Sequence, residues 1–245
     1  MRLSKREQVR AGHPWRAGFT LIELLVVISI IAIMMSISLP ALTQAQREAE
    51  TVHCLANERT LTLAWMEYAI DNEDRLYKAS PRLAGLRSYV QMDDVFQCKA
   101  VADDGYGRSS SHRSSYGIST TMFGLLGRDG VAPYEKLHKI EQPARMMVFV
   151  DVQPWTVNRH GFWPLFKDED VWKWRPGSWP FFGGVQTMTA RHNNGCNMSF
   201  ADGHCQYRRW RDPRTLDLIK GKIGDPNEAS FDNVDLDHMV EILTR

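Results

Sequence analysis

Gly18-Phe19-Thr20-Leu21-Ile22-Glu23 opens an apolar run that continues from Leu24 to Leu39 and meets Pro40. Glu23 is the one ionisable residue in the run, near its start, and Ser29, Ser36 and Ser38 are set among Leu, Ile, Val, Ala and Met. The 21 residues from Phe19 to Leu39 make a helix about 32 Å long, which matches the ~30 Å hydrocarbon layer of a bilayer. A single membrane-inserted helix is therefore expected. Upstream, Arg2, Lys5, Arg6, Arg10 and Arg16 stand against Glu7, so the formal charge of +1 over 245 residues hides a basic leader and a slightly acidic remainder. The leader belongs on the cytoplasmic side by the positive-inside rule. The acidic remainder exerts no general pull on nucleic acid, and none is expected as a partner.

The spacing carries more than hydropathy. Glycine at 18, phenylalanine at 19, a lone carboxylate at 23 and proline at 40 resemble the N-terminus of type IV pilins and type II secretion pseudopilins. That resemblance implies cleavage between Gly18 and Phe19 by a prepilin peptidase and N-methylation of Phe19. It also implies a bacterial inner-membrane anchor with one pass, a periplasmic or filament-borne head, and assembly with copies of itself and other pilin-like subunits. The Glu23 carboxylate either lies at the wet headgroup edge or needs a partner, since a charge at mid-bilayer costs about 2.5–3.5 kcal/mol. The new amine of Phe19 is the expected one. Pro40 is expected to kink or locally melt the helix, with the Ser36 and Ser38 hydroxyls near the freed groups.

The resulting division is a cleaved leader at 1–18, a membrane helix at 19–40, its continuation at 41–70, and an α+β head at 71–245. The fold expected is a long N-terminal helix packed on an antiparallel sheet. Leu42, Ala45, Ala49, Val52, Ala56, Leu63, Met66 and Ile70 form one helical stripe, and Cys54, Leu61, Trp65 and Tyr68 another. Two apolar faces suggest that the upper part of the helix is wrapped by the head. A short helical stretch at 83–90 and short strands at 95–98 and 115–119 follow. The apolar Met146–Asp151 segment reads as a strand buried on both faces, and a terminal helix is expected at 235–244. Residues 102–115, rich in Gly, Ser and Asp, read as a loop. Residues 154–182 hold five of the eight tryptophans, broken by prolines. Such a loop either packs its own aromatics or engages a polysaccharide or secreted cargo.

Cys196–Ala201, Asp202-Gly203 and His204–Trp210 read as a hairpin at 196–210 on a type I′ turn, one face on the core and the other in solvent. That register pairs Cys196 with Arg209 and Phe200 with Cys205, leaving the two cysteines on one face but about 13 Å apart, too far for a disulfide. Arg191-His192, nine intervening residues and then Asp202-Gly203 resemble the C-terminal H-x9-DG signature of a large group of bacterial pilin-like proteins. The likeness extends to Cys54-Leu-Ala-Asn57, Phe96-Gln-Cys98, Ser115-Tyr116-Gly117 and Asp151, with Lys99 where that group usually has proline.

Four cysteines in an exported head are candidates for oxidation, and Cys54 with Cys98 is the expected pair. Asp151, His192 and Asp202 are the candidate ligands were a metal bound, although neither metal nor cofactor is expected. Asp202 and Gly203 are explained by the turn alone. No H-E-x-x-H, Cys-x-x-Cys or G-x-S-x-G spacing occurs, and an enzyme is not expected. Arg208, Arg209, Arg211 and Arg214, with Tyr207 and Trp210 between them, form a basic aromatic stretch that a charged sheet edge explains.

Overall fold

The first helix starts at a threonine and a glutamate that cap each other. In the computed structural model, which describes residues 19–77, 81–100, 114–122, 130–152, 161–174, 188–220, 222 and 228–244, the Thr20 hydroxyl accepts the Glu23 backbone N–H at 3.2 Å. Glu23 Oε2 reaches back to accept the Thr20 N–H at 2.8 Å and its hydroxyl at 2.7 Å. This is a capping box, and it satisfies donors that a helix start otherwise leaves bare. Helix α1 then runs Leu21–Asp71. It passes through Pro40 without a break, so the expected melting does not occur. The Ser36 hydroxyl donates to the Ile33 carbonyl, and Thr43 donates to the carbonyl of Leu39. One missing hydrogen bond is outweighed by intact turns on either side.

The chain divides into two units, Met1–Gln44 and Ala45–Arg245. In the first, every described side chain is exposed. Its Leu21–Gln44 stretch lies in the one described helix long and apolar enough to cross a membrane.

The second unit is built on a five-stranded sheet in the order β3-β1-β2-β6-β7. The strands are β1 (Tyr116–Ser119), β2 (Met147–Asp151), β3 (Gly161–Phe162), β6 (Gly195–Phe200) and β7 (Cys205–Arg209). All neighbours are antiparallel except β1 and β3. A separate hairpin pairs β4 (Leu165–Asp168) with β5 (Val171–Trp174). Helices α2 (Pro213–Ile219) and α3 (Val234–Thr244) complete the chain. The architecture is α+β and pilin-like, with the long helix packed on the antiparallel sheet.

Both faces of the sheet are covered. On one, Leu61, Trp65 and Ala69 of α1 pack with Tyr116, Ile118 and Phe149. On the other, Cys196, Met198 and Phe200 of β6 meet Leu236, Met239, Ile242 and Leu243 of α3, together with Trp163 and Trp174. Strand β2 serves both cores, and its register against β6 shifts between Met147 and Val150. That bulge turns Val148 and Phe149 to the α1 side while Met147 and Val150 face α3. Ser199 Oγ accepts the Phe149 N–H at 3.1 Å and lies 2.6 Å from the Thr62 hydroxyl of α1.

Several expectations are corrected. The hairpin turn holds three residues, with Phe200 paired to His204 and Ser199 to Cys205. Phe200 O accepts the Gly203 N–H at 2.9 Å, and Gly203 alone takes positive φ, +90°. This is a type I turn closed by a left-handed glycine, not type I′. Cys196 therefore pairs with Arg208, and Cys196 and Cys205 face opposite ways. Strand β6 is buried on both faces instead of facing solvent on one. Residues 93–96 form a 3-10 turn where a strand is expected. On α1, Cys54, Asn57, Glu58, Leu61, Thr62 and Trp65 are buried, while Val52, Leu63 and Ile70 are exposed. The sheet occupies one side of this helix and does not wrap it. Helix α2, which the sequence reading lacks, is started by Asp212, whose side chain accepts the Arg214 N–H. The strand at 116–119, the buried strand at 147–151 and the terminal helix lie where expected. Most of the 102–115 loop, like the leader and Gly18, lies outside the described residues.

Candidate functional site

Four segments converge beside the buried face of α1. Cys54 stands on that helix, Cys98 follows the 93–96 turn, Asp151 ends β2, and His192 precedes β6. All four are buried. A two-residue turn sets His192 in place: Asn193 and Asn194 both adopt positive φ, 48° and 61°, and Gly195 N–H donates to the His192 carbonyl at 2.9 Å. Asparagine tolerates that conformation, so Asn193-Asn194-Gly195 is the sequence signal that would have located the turn. Gly195 has no alternative, because a Cβ there would stand 2.2 Å from the Arg208 carbonyl oxygen.

The Sγ atoms of Cys54 and Cys98 and one ring nitrogen of His192 lie within 4.8 Å of one another. Cys98 Sγ is 3.4 Å from Nε2, and Asp151 Oδ2 is 3.1 Å from the same nitrogen. Asp151 Oδ2 also accepts the Asn197 N–H at 3.0 Å, and Arg191 Nη2 lies 3.7 Å from Oδ1. The other ring nitrogen, Nδ1, is 3.3 Å from Thr51 Oγ1. Thr51 gives its one hydroxyl hydrogen to the Arg47 carbonyl at 2.9 Å, so its oxygen faces the ring as an acceptor and the proton is assigned to Nδ1.

These neighbours shape the titrations. Burial works against the charged His192, yet the Asp151 carboxylate and Cys54 outweigh it and push the imidazole up to about 9. A hydrogen bond between the thiols lowers Cys54 and raises Cys98. Burial, reinforced by Asp151, holds the Glu58 carboxyl well above the usual range. Neither Glu58 oxygen has a hydrogen-bond partner.

The structure thus brings together Cys54, Cys98, Asp151 and His192, and it leaves Asp202 out. Asp202 and Gly203 sit at the far end of β6, where Asp202 Oδ1 accepts the His204 N–H and lies 2.6 Å from its Nδ1. Cys54 and Cys98 are free thiols here, as are Cys196 and Cys205. Glu58 and Arg191 join the cluster without having been singled out; Glu58, one turn beyond Cys54 on α1, was visible only as a charge on an otherwise apolar face.

The tryptophan-rich segment packs its own aromatics where it is described. Trp163 and Trp174 are buried, and Trp163 and Trp172 meet edge to face at 6.2 Å. Trp155 and Trp179 lie outside the described residues. Part of the basic stretch is likewise committed: Arg208 faces Asp235 at 3.5 Å, Arg214 pairs with Asp212 at 2.6 Å, and the buried Trp210 donates to the Thr189 carbonyl.

Residues 16–39 match the family model of the prokaryotic N-terminal methylation motif. Gly18, Phe19 and Glu23 fall inside the match, and Pro40 directly follows it. The match supports a pilin-like identity, and with the apolar part of α1 it fits a single inner-membrane anchor. No curated protein matches the chain, and no solved structure matches it.

Proposed function

We propose that this chain is a structural subunit, a pilin or pseudopilin of a type II secretion or type IV pilus-like filament, and not an enzyme. The observation that carries the reading is the methylation motif at 16–39 opening a 51-residue helix. A prepilin peptidase cuts between Gly18 and Phe19, the Phe19 amine is methylated, and residues 19–40 hold the subunit in the inner membrane with the head outside the cytoplasm. Assembly then packs the apolar first half of α1 against other subunits. In the second unit Val52, Leu63 and Ile70 are exposed apolar residues of the same helix. The H-x9-DG likeness is consistent with this class: His192 and Asp202-Gly203 bracket β6, which meets α1 through Asn197 and Ser199. Burial of Trp163 and Trp174 removes them from any surface that would recognise a polysaccharide.

Mass spectrometry of the N-terminus from the native host tests the processing step. The expected chain begins at methylated Phe19; one that begins upstream, or after Ala41, removes the proposal. Glu23→Ala is expected to abolish filaments while leaving the subunit in the membrane, as scored by microscopy and fractionation.

A further inference from the structure

We propose that Cys54, Cys98 and His192 bind one thiophilic divalent cation, for which zinc is the best fit. The three donors come from separate parts of the chain and meet at a buried point, with their ligand atoms within 4.8 Å of one another. Tetrahedral zinc, with bonds of about 2.3 Å to sulfur and about 2.0 Å to nitrogen, sets a sulfur–nitrogen edge near 3.5 Å. The Cys98 Sγ to His192 Nε2 separation is 3.4 Å.

The proton assignment points the same way. With its hydrogen on Nδ1 and directed at Thr51, a neutral His192 turns the Nε2 lone pair toward Cys98 Sγ and Asp151 Oδ2. Without a metal a proton on Nε2 bridges these atoms, and a divalent cation can take that proton's place. The Thr51 contact is the kind of outer hydrogen bond that orients a metal-bound imidazole. On binding, Nε2 and the two thiols release their protons to solvent. Two thiolates and the Asp151 carboxylate are then balanced by the divalent ion and the Arg191 guanidinium. The sulfur-rich donor set selects zinc-like ions over calcium or magnesium, which take oxygen ligands.

A second observation is independent of the three ligands. Glu58 Oε1 and Oε2, Asp151 Oδ1 and Asn197 Oδ1 are buried without hydrogen-bond partners. Orphaned acceptors at this density call for an ion or water. Asp151 acts electrostatically on both Cys54 and Glu58, and Cys54 acts on Glu58. The bound ion would tie α1 to the 93–98 segment and to the turn ahead of β6, fixing the helix on the sheet.

The test uses the full chain, purified in detergent under argon without chelator. Elemental analysis is expected to give about one zinc per chain, as for a closed structural site. Cys98→Ser and His192→Ala should each lower that content severalfold. Cobalt(II) exchanged into the unmodified chain should show thiolate-to-cobalt charge-transfer absorption, a readout that needs no variant to fold. A Cys54–Cys98 disulfide in the argon-purified chain, cobalt exchange without that absorption, or zinc retained in both variants would each overturn the proposal.

Discussion

Ser199 holds three things at once. It accepts the N–H that the β2 bulge exposes at Phe149, touches the Thr62 hydroxyl, and fills a buried position on the α1 side of β6. Ser199→Ala keeps the backbone but leaves a buried donor without a partner, at a cost of about 1–3 kcal/mol. Denaturant unfolding of the detergent-solubilised chain should show that loss as an earlier midpoint with an unchanged slope. His238 on α3 acts in the opposite sense to a paired histidine. Burial, aided by Arg208, depresses it from 6.5 to about 4. An unfolded chain takes up a proton near 6.5 that the folded chain refuses until about 4, so stability is full above that window and falls as pH drops through it. Melting temperatures measured from pH 4 to 8 should decline less steeply on the acid side in His238→Asn than in the unmodified chain. If the two curves run parallel, His238 is not the titrating group.

At the scale of elements, α3 is the clearest case of a helix held by one face. Leu236, Met239, Ile242 and Leu243 are all buried against the sheet, while Asp237 is exposed. Asp235 adds a polar lock by accepting the N–H groups of Arg211 and Asp212, each at 2.9 Å. Met239→Ala is expected to cost about 2–5 kcal/mol. Asp212→Ala, which removes the cap of α2, should cost about 0.5–2 kcal/mol. Thermal unfolding would rank the two, and a larger effect at Asp212 would contradict the packing account. The periodicity of Leu236, Met239, Val240 and Leu243 made α3 readable in the sequence, and the continuous apolar run at 146–151 did the same for β2. Helix α2 escapes a reading by periodicity because it is only seven residues long, and its start is marked only by Asp212 before Pro213. The Asp-Gly turn is one residue longer than its spacing predicts: Gly203 needs positive φ in both turn types, and only the pairing of Ser199 with Cys205 decides between them.

For the molecule as a whole, the N-terminal motif and the helix–sheet partnership were legible because each rests on local spacing. The meeting of Cys54, Cys98, Asp151 and His192 was not, since it depends on which strands are neighbours. The sequence does place all four within one likeness, but as separate fragments. The same limit applies to β6, whose alternating polar residues suggested a wet face. Asn197 and Ser199 instead meet α1 through the Thr51 carbonyl and the Thr62 hydroxyl. Polarity there marks an internal seam.

The turn at 201–203 also makes the hairpin sensitive to parity. Cross-strand partners share a face, so the length of the connection decides which way every side chain of β7 points. If one loop residue is deleted and the three-residue turn re-forms, His204 is drawn into the loop, Phe200 pairs with Cys205 and the strand inverts. Arg208 would leave Asp235 for the α1 side, and Cys205 would turn toward α3. Adding two residues keeps the parity and should leave both cores intact. Paired one-residue deletion and two-residue insertion variants, compared by thermal unfolding, should show the shorter change to be the more damaging.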